Sequence, residues 1–257
     1  MSRLACVVIT AALVVPASAG TTPARRSIAL AASPAHVSLQ GSGHATVRVT
    51  NSGRRPVVFD VRRAGFALDL RGRPRIVAGG KRGAISWVRV HPSRVALRAG
   101  ASASLTVAAK VPAGAEPGDH DALVLLTTRP RGDAGAAVRV RIGVVVAVRA
   151  PGRLLHKLAL RRLRIRRRGH LRTLELLVVN RGNVTERLGR ERVSLSLGRA
   201  GRVLAKLRPE PRELLPRSRG LLVFRYRGRA HGTASAIATV VSDEDGSMVY
   251  RTYWIRL

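Results

Sequence analysis

His120 stands between Asp119 and Asp121, the one place in the chain where an imidazole adjoins carboxylates. Such a triplet offers acid–base chemistry or the start of a metal site, but a metal needs a further convergent ligand. The seven histidines show no H-x-x-H or H-E-x-x-H spacing that would supply one. The triplet therefore reads as a polar turn after Pro117 and Gly118. Asp243, Glu244 and Asp245 form the densest acidic cluster. It lacks the closing Glu of a twelve-residue calcium loop, and Asp245-Gly246 between two apolar runs reads as a hairpin turn. No G-x-S-x-G, Walker or dinucleotide pattern occurs, so no cofactor, no metal and no catalytic residue are expected. Trp87, between Ile85 and Val88, reads as a core residue of a strand. The most distinctive local run is 161–168, six arginines around Leu163 and Ile165. At period two, the two apolar residues point inward while Arg164, Arg166 and Arg168 line the outer face, about 7 Å apart. Three guanidinium groups so spaced form a candidate site for an anionic polymer.

The elements that must position these groups belong to an exported chain. Arg3 gives a positive start, residues 4–15 are an apolar run broken only by Thr10, and Ala17-Ser18-Ala19 supplies the small residues of a cleavage site. Residues 1–19 are expected to be a signal peptide; the run is about 12 residues, against the roughly 20 of a membrane span. Cys6, the sole cysteine, falls within that segment, so the mature chain must be held by hydrophobic cores and not by disulfides. No later stretch reaches membrane-spanning length. With 47 Lys+Arg against 14 Asp+Glu, the formal net charge is +33. Self-repulsion on that scale favours polyanionic company, and export argues against nucleic acid as the partner.

Periodicity is β throughout. Val47 to Val49, Val138 to Ile142 and Ser194 to Leu197 alternate apolar and polar residues, with Gly, Pro, Asn and Ser clusters between the runs. The order of elements also repeats. A strand ending in Asn51-Ser52-Gly53 has its counterpart in one ending in Asn180-Arg181-Gly182, where Asn and Gly suit the positive φ of a tight corner. Arg94 to Leu97 is echoed by Glu213 to Pro216. The fold class is accordingly all-β, two tandem immunoglobulin-like β-sandwich domains after a cleaved signal peptide. The domains are expected over residues 25–150 and 151–257, joined at Pro151-Gly152.

The first half carries, in order, Asn51 to Gly53, Gly65 to Asp69, Ile85 to Val88, Val95 to Gly100 and Val111 to His120. In this it resembles the N-terminal domain of the WxL-interacting surface proteins and their actinobacterial relatives. The second half, with Val178 to Val184, is similar to the sandwich that follows in that family. The resemblance implies peptidoglycan binding by the first domain and a surface ligand for the second; the family's usual C-terminal membrane helix is missing here. It points to a non-catalytic envelope protein engaging peptidoglycan, another anionic wall polymer or a partner surface protein. The alternative is a fimbrial-type periplasmic chaperone, also exported, basic and built of two immunoglobulin-like domains. Its support is the alternation of Val138, Val140, Ile142, Val144, Val146 and Val148 along the last strand of the first domain. Against it, no arginine-bearing first strand resembles that family's anchor for a terminal carboxylate.

Overall fold

The computed structural model describes residues 29–77, 83–129, 139–169, 171–242 and 246–257. The expected signal segment, Val138 and the acidic residues 243–245 lie outside them. Among the described residues, no helix is long and apolar enough to cross a membrane.

The first half runs β1 (Leu30–Ser33), β2 (His36–Gln40), β3 (Gly43–Asn51), β4 (Val57–Leu68), β5 (Pro74–Val77), α1 (Ala84–Trp87), β6 (Val88–His91), β7 (Arg94–Leu97), β8 (Ser102–Ala109), β9 (Gly118–Thr128) and β10 (Arg141–Ala150). One sheet has the order β1-β3-β8-β6, the other β2-β10-β9-β4-β5, with β7 also on β4. Alternation decides which side chains meet between them. Val47 and Val49 from β3, Leu105 and Val107 from β8, Phe59 from β4, Leu126 from β9 and Val144, Val146 and Val148 from β10 are almost wholly buried together. The chain enters by changing sheets: β1 pairs with β3, and after Pro34 the next strand, β2, lies parallel to β10.

The second half runs β11 (Leu158–Arg168), β12 (Leu171–Asn180), β13 (Glu186–Leu188), β14 (Val193–Arg199), β15 (Arg202–Leu207), β16 (Arg212–Leu214), β17 (Arg219–Tyr226), β18 (Thr233–Val241) and β19 (Met248–Arg256). Its sheets are β11-β12-β17 and β15-β14-β18-β19, with β13 and β16 as a separate pair. Leu174, Leu176 and Val178 from β12 meet Leu195 and Leu197 from β14, Phe224 from β17 and Ala236, Ala238 and Val240 from β18. A register shift between Leu160 and Leu163 takes up Arg161 and Arg162, so that Leu160, Leu163 and Ile165 all turn toward this core. The hairpin expected around Gly246 is present as the β18–β19 ladder, closed at Val241 and Met248.

The fold is thus all-β, two immunoglobulin-like sandwiches in tandem. Their core clusters share no residue: the first spans Val37 to Val148, the second Leu160 to Leu257. Expressed apart, residues 25–150 and 151–257 are expected to give two β-rich, cooperatively unfolding proteins. Substantial helix by circular dichroism in either piece would contradict that expectation.

Both Asn-x-Gly corners do the same work, but not by positive φ, which neither Asn51, Gly53, Asn180 nor Gly182 adopts. Each asparagine is buried and ties three segments together. Asn51 Nδ2 donates to the carbonyls of Arg55 (2.8 Å) and Arg98 (3.1 Å), and its Oδ1 accepts from Gly53 N–H (3.1 Å). Asn180 Nδ2 donates to Val184 (2.7 Å), Leu215 (3.1 Å) and Leu214 (3.2 Å), and its Oδ1 accepts from Gly182 N–H (2.9 Å). Asn51 also lies 3.4 Å from the Leu97 carbonyl, so Leu97 is the counterpart of Leu214. The repeat read from sequence at Glu213 to Pro216 is therefore two residues out of step. Residues 84–87 also differ from the expected strand. Ser86 N–H and Oγ both bond the Gly83 carbonyl and wind one helical turn, which leaves Trp87 half-buried against the first core.

Candidate functional site

His120 does not lie in a turn. Gly118 opens β9, and the strand delivers Asp119, His120 and Asp121 to the junction of the two sandwiches. Asp119 is the hub. Its Oδ1 accepts from Arg149 Nε at 2.6 Å, and its Oδ2 accepts from Arg149 Nη2 at 3.0 Å and from Thr185 N–H at 2.8 Å. The Asp119 N–H donates to the Asn183 carbonyl (2.8 Å), and Asn183 Nδ2 donates to the carbonyls of Pro117 and Arg153 (both 2.9 Å). Asn183 Oδ1 receives Leu155 N–H at 2.6 Å, so one asparagine beside the second corner fixes the linker and both halves. Burial by itself would raise the Asp119 pKa, but the hydrogen bonds from Arg149 and Thr185 outweigh it and hold the carboxyl below 3.8.

A second seam lies along the turn after β4. Leu221 N–H and Arg212 Nη1 both donate to the Leu70 carbonyl (2.9 and 2.7 Å), and Arg212 Nη2 donates to that of Asp69 (2.8 Å). Arg71 crosses to Glu175, 3.2 Å away and almost wholly buried in β12. The other oxygen of Glu175 receives Arg166 Nε at 2.9 Å.

The three arginines singled out in the sequence are all exposed on β11, as period two requires. Arg164 stands opposite Glu175 in the β11–β12 register, Arg168 opposite Leu171 at the hairpin end, and Arg166 is engaged with Glu175. Of the three, Arg166 is thus drawn into a structural ion pair.

A cavity of about 380 Å³ opens between the sandwiches, lined by Phe66, Ile85, Asp119, Asp121, Leu215 and Arg217 among others. Trp87 stacks obliquely on His120 at its edge, ring centroids 4.5 Å apart, and His120 Nε2 lies 2.8 Å from the Glu116 carbonyl. Glu116 pairs with Arg217 across the opening. Burial, reinforced by Asp119 and Glu213, pushes Asp121 up to about 7 from 3.8. In folded protein this group binds a proton that the unfolded chain has already released between those two values. Its stabilisation is therefore complete below about pH 4 and lost as pH rises toward 7, by up to about 4 kcal/mol. Urea titrations at intervals across that window should show falling stability for the wild type and a flatter profile for Asp121→Asn; parallel profiles would contradict the assignment.

The last notable feature is the outer side of β10. β2 covers it only from Val145 to Arg149. Val145 N–H donates outward to the Ala35 carbonyl, and the Val140 carbonyl and N–H face Thr128 on β9. By alternation, Arg141 and Gly143 turn their N–H and C=O away from β9, where no described strand receives them. Val144, Val146 and Val148 point into the protein's own core. Their alternation marks a core strand, and the outward side of β10 at Arg141 and Gly143 presents backbone.

No protein-family profile matches the chain, and no curated protein matches it by sequence. Solved structures do. A chain of the chaperone–tip adhesin complex of CFA/I fimbriae biogenesis is 14% identical, with 87% of this chain and 98% of that one covered and a TM-score of 0.50. The class 5 fimbriae chaperone CfaA is 14% identical over 87% and 98%, with a TM-score of 0.48. The Pseudomonas aeruginosa CupB2 chaperone is 16% identical over 86% and 98%, with a TM-score of 0.45. The first of these places the fold with two-domain fimbrial-chaperone sandwiches. That corrects the resemblance to WxL-interacting surface proteins, and with it the expectation of peptidoglycan or an anionic wall polymer as partner. The physical reason is visible in the corners: buried asparagines that tie β-segments together report on sandwich construction and carry nothing about a ligand.

Arg149, Asn183, Thr185, Arg71 and Glu175 were not legible as junction residues. The contacts Arg149–Asp119, Asn183–Pro117, Thr185–Asp119 and Arg71–Glu175 join residues 30 to 104 positions apart, and only the placement of Asn183 beside an Asn-x-Gly corner hints at a role.

Proposed function

We propose that this chain is a non-catalytic, extracytoplasmic chaperone of the fimbrial type, which holds a partner polypeptide by strand addition along the open side of β10. The observation that carries the reading is the half-covered edge: the backbone of Arg141 and Gly143 is presented outward, beside a stretch already occupied by β2. An added strand gains main-chain hydrogen bonds that this edge otherwise makes with water. The similar fold from the chaperone–tip adhesin complex of CFA/I fimbriae biogenesis supports it. The corresponding location is the periplasm.

The test uses a pilin-type β-sandwich lacking one strand, diluted from denaturant with an equimolar amount of the full chain. Wild type is expected to keep it soluble. Arg141→Pro deletes one outward N–H without touching the β9 ladder, and should reduce soluble recovery several-fold at an unchanged melting temperature. Equal recovery with the variant, or none with wild type, would overturn the proposal.

A further inference from the structure

The charge inside the junction cavity runs against the charge of the molecule. The chain has 14 acids among 47 Lys+Arg, yet Glu116, Asp119 and Asp121 line this one cavity and Glu213 lies near enough to act on Asp121. Two of these are neutralised: Asp119 by Arg149 and Glu116 by Arg217. Glu213 pairs with Arg187. His120 is held by Trp87 and the Glu116 carbonyl. Asp121 lines the cavity under the influence of Asp119 and Glu213, with no described hydrogen-bond donor and no described cation beside it. A partly buried carboxylate so placed has no charge partner among the described residues.

We propose that this cavity is a binding site for a cationic group, a primary ammonium or guanidinium on a flexible apolar stem, presented by a partner polypeptide. Charge selects the class. An anion would meet Asp121 and Glu116, and a neutral ligand would leave the Asp121 carboxylate unpaired. A divalent metal lacks its donors, since among the described residues no three His, Cys, Asp or Glu side chains converge. The walls select the stem. Phe66, Ile85, Leu215 and Pro216 line the same space, so the methylenes of a lysine or arginine side chain pack against them while the charged head reaches Asp121. About 380 Å³ accommodates one such side chain with water to spare. The site stands independently of strand addition: it lies at the Gly118–Ala150 end of the β9–β10 ladder, and the open edge lies toward the other end.

The probes are Nα-acetyl-lysine methylamide and Nα-acetyl-arginine methylamide, titrated calorimetrically into the full chain, with the Nε-acetylated lysine probe as the uncharged control. Binding should be about thirtyfold tighter near pH 8 than near pH 5.5, following ionisation of Asp121. The uncharged control should bind at least about tenfold more weakly than its parent, and Asp121→Asn should lose the charged probes by a similar factor. Should that variant fold poorly, the carboxyl carbon resonance of Asp121 in wild type decides: a bound cation favours the ionised form and must move its titration midpoint downward. Equal binding of the uncharged probe, or a midpoint indifferent to the charged ones, would overturn the assignment.

Discussion

Asn180→Ala is expected to destabilise the second sandwich by about 3–5 kcal/mol, a large fraction of what a domain of this size has. The residue is 1% exposed, and its amide serves Val184, Leu214 and Leu215 while its oxygen holds Gly182 N–H. Alanine leaves three carbonyls and one N–H without these partners, in a place where water reaches few of them. Asn180→Asp, almost isosteric, should do no better near neutral pH, because it sets a negative charge against three carbonyl oxygens. Asn51→Ala is the matched experiment in the first sandwich, with the same pattern of partners. Chemical denaturation followed by fluorescence and circular dichroism reads both. A loss below about 1 kcal/mol in either case would mean that the corners are local decoration.

The second large effect concerns the junction. Gly118 has φ 110°, a conformation that disfavours any side chain, and a Cβ there would overlap the Asn183 carbonyl oxygen and crowd the Asn183 side chain. Gly118→Ala must therefore push the sandwiches apart locally. It breaks the Asp119 N–H bond to Asn183 and loosens the Asn183–Pro117 bond beside it. The expected cost is about 3 kcal/mol, which corresponds to roughly a hundredfold faster exchange of the Asp119 and Thr185 amide hydrogens. Small-angle scattering should show a larger radius of gyration than in wild type. Unchanged exchange at these two amides would show that the junction does not depend on this close approach.

The contrast between strands and junction shows what single-chain patterning reveals. Val47 to Val49 and Ser194 to Leu197 announce their strands because period two is a local property, satisfied within a few residues. Leu163 and Ile165 face inward as their spacing requires, while the one extra residue just before them shifts the parity, so that Leu160, three positions back, faces inward too. Residues 85–87 misled because their turn is closed by Gly83, whose carbonyl gathers both donors of Ser86, a backbone event with no hydrophobic signature. Asp119 reads as part of a polar turn in the sequence because the groups that give it meaning come from β10 and from the corner after β12. Arg166 illustrates the reverse: its exposure follows from period two, but its engagement depends on Glu175 and, through it, on Arg71 from the other half.

The change of sheet between β1 and β2 has a consequence for length. β2 begins pairing at His36, opposite Val145, and covers the outer side of β10 from there to Arg149. Among the described residues the uncovered tract from Arg141 to Val144 spans about 13 Å, so under the proposed strand addition β2 would limit the guest at the Val145 end. That cover is itself a five-residue parallel pairing, a form somewhat weaker per residue than the antiparallel kind. Were a strand to add as proposed, a longer one would have to displace this pairing from the His36 end.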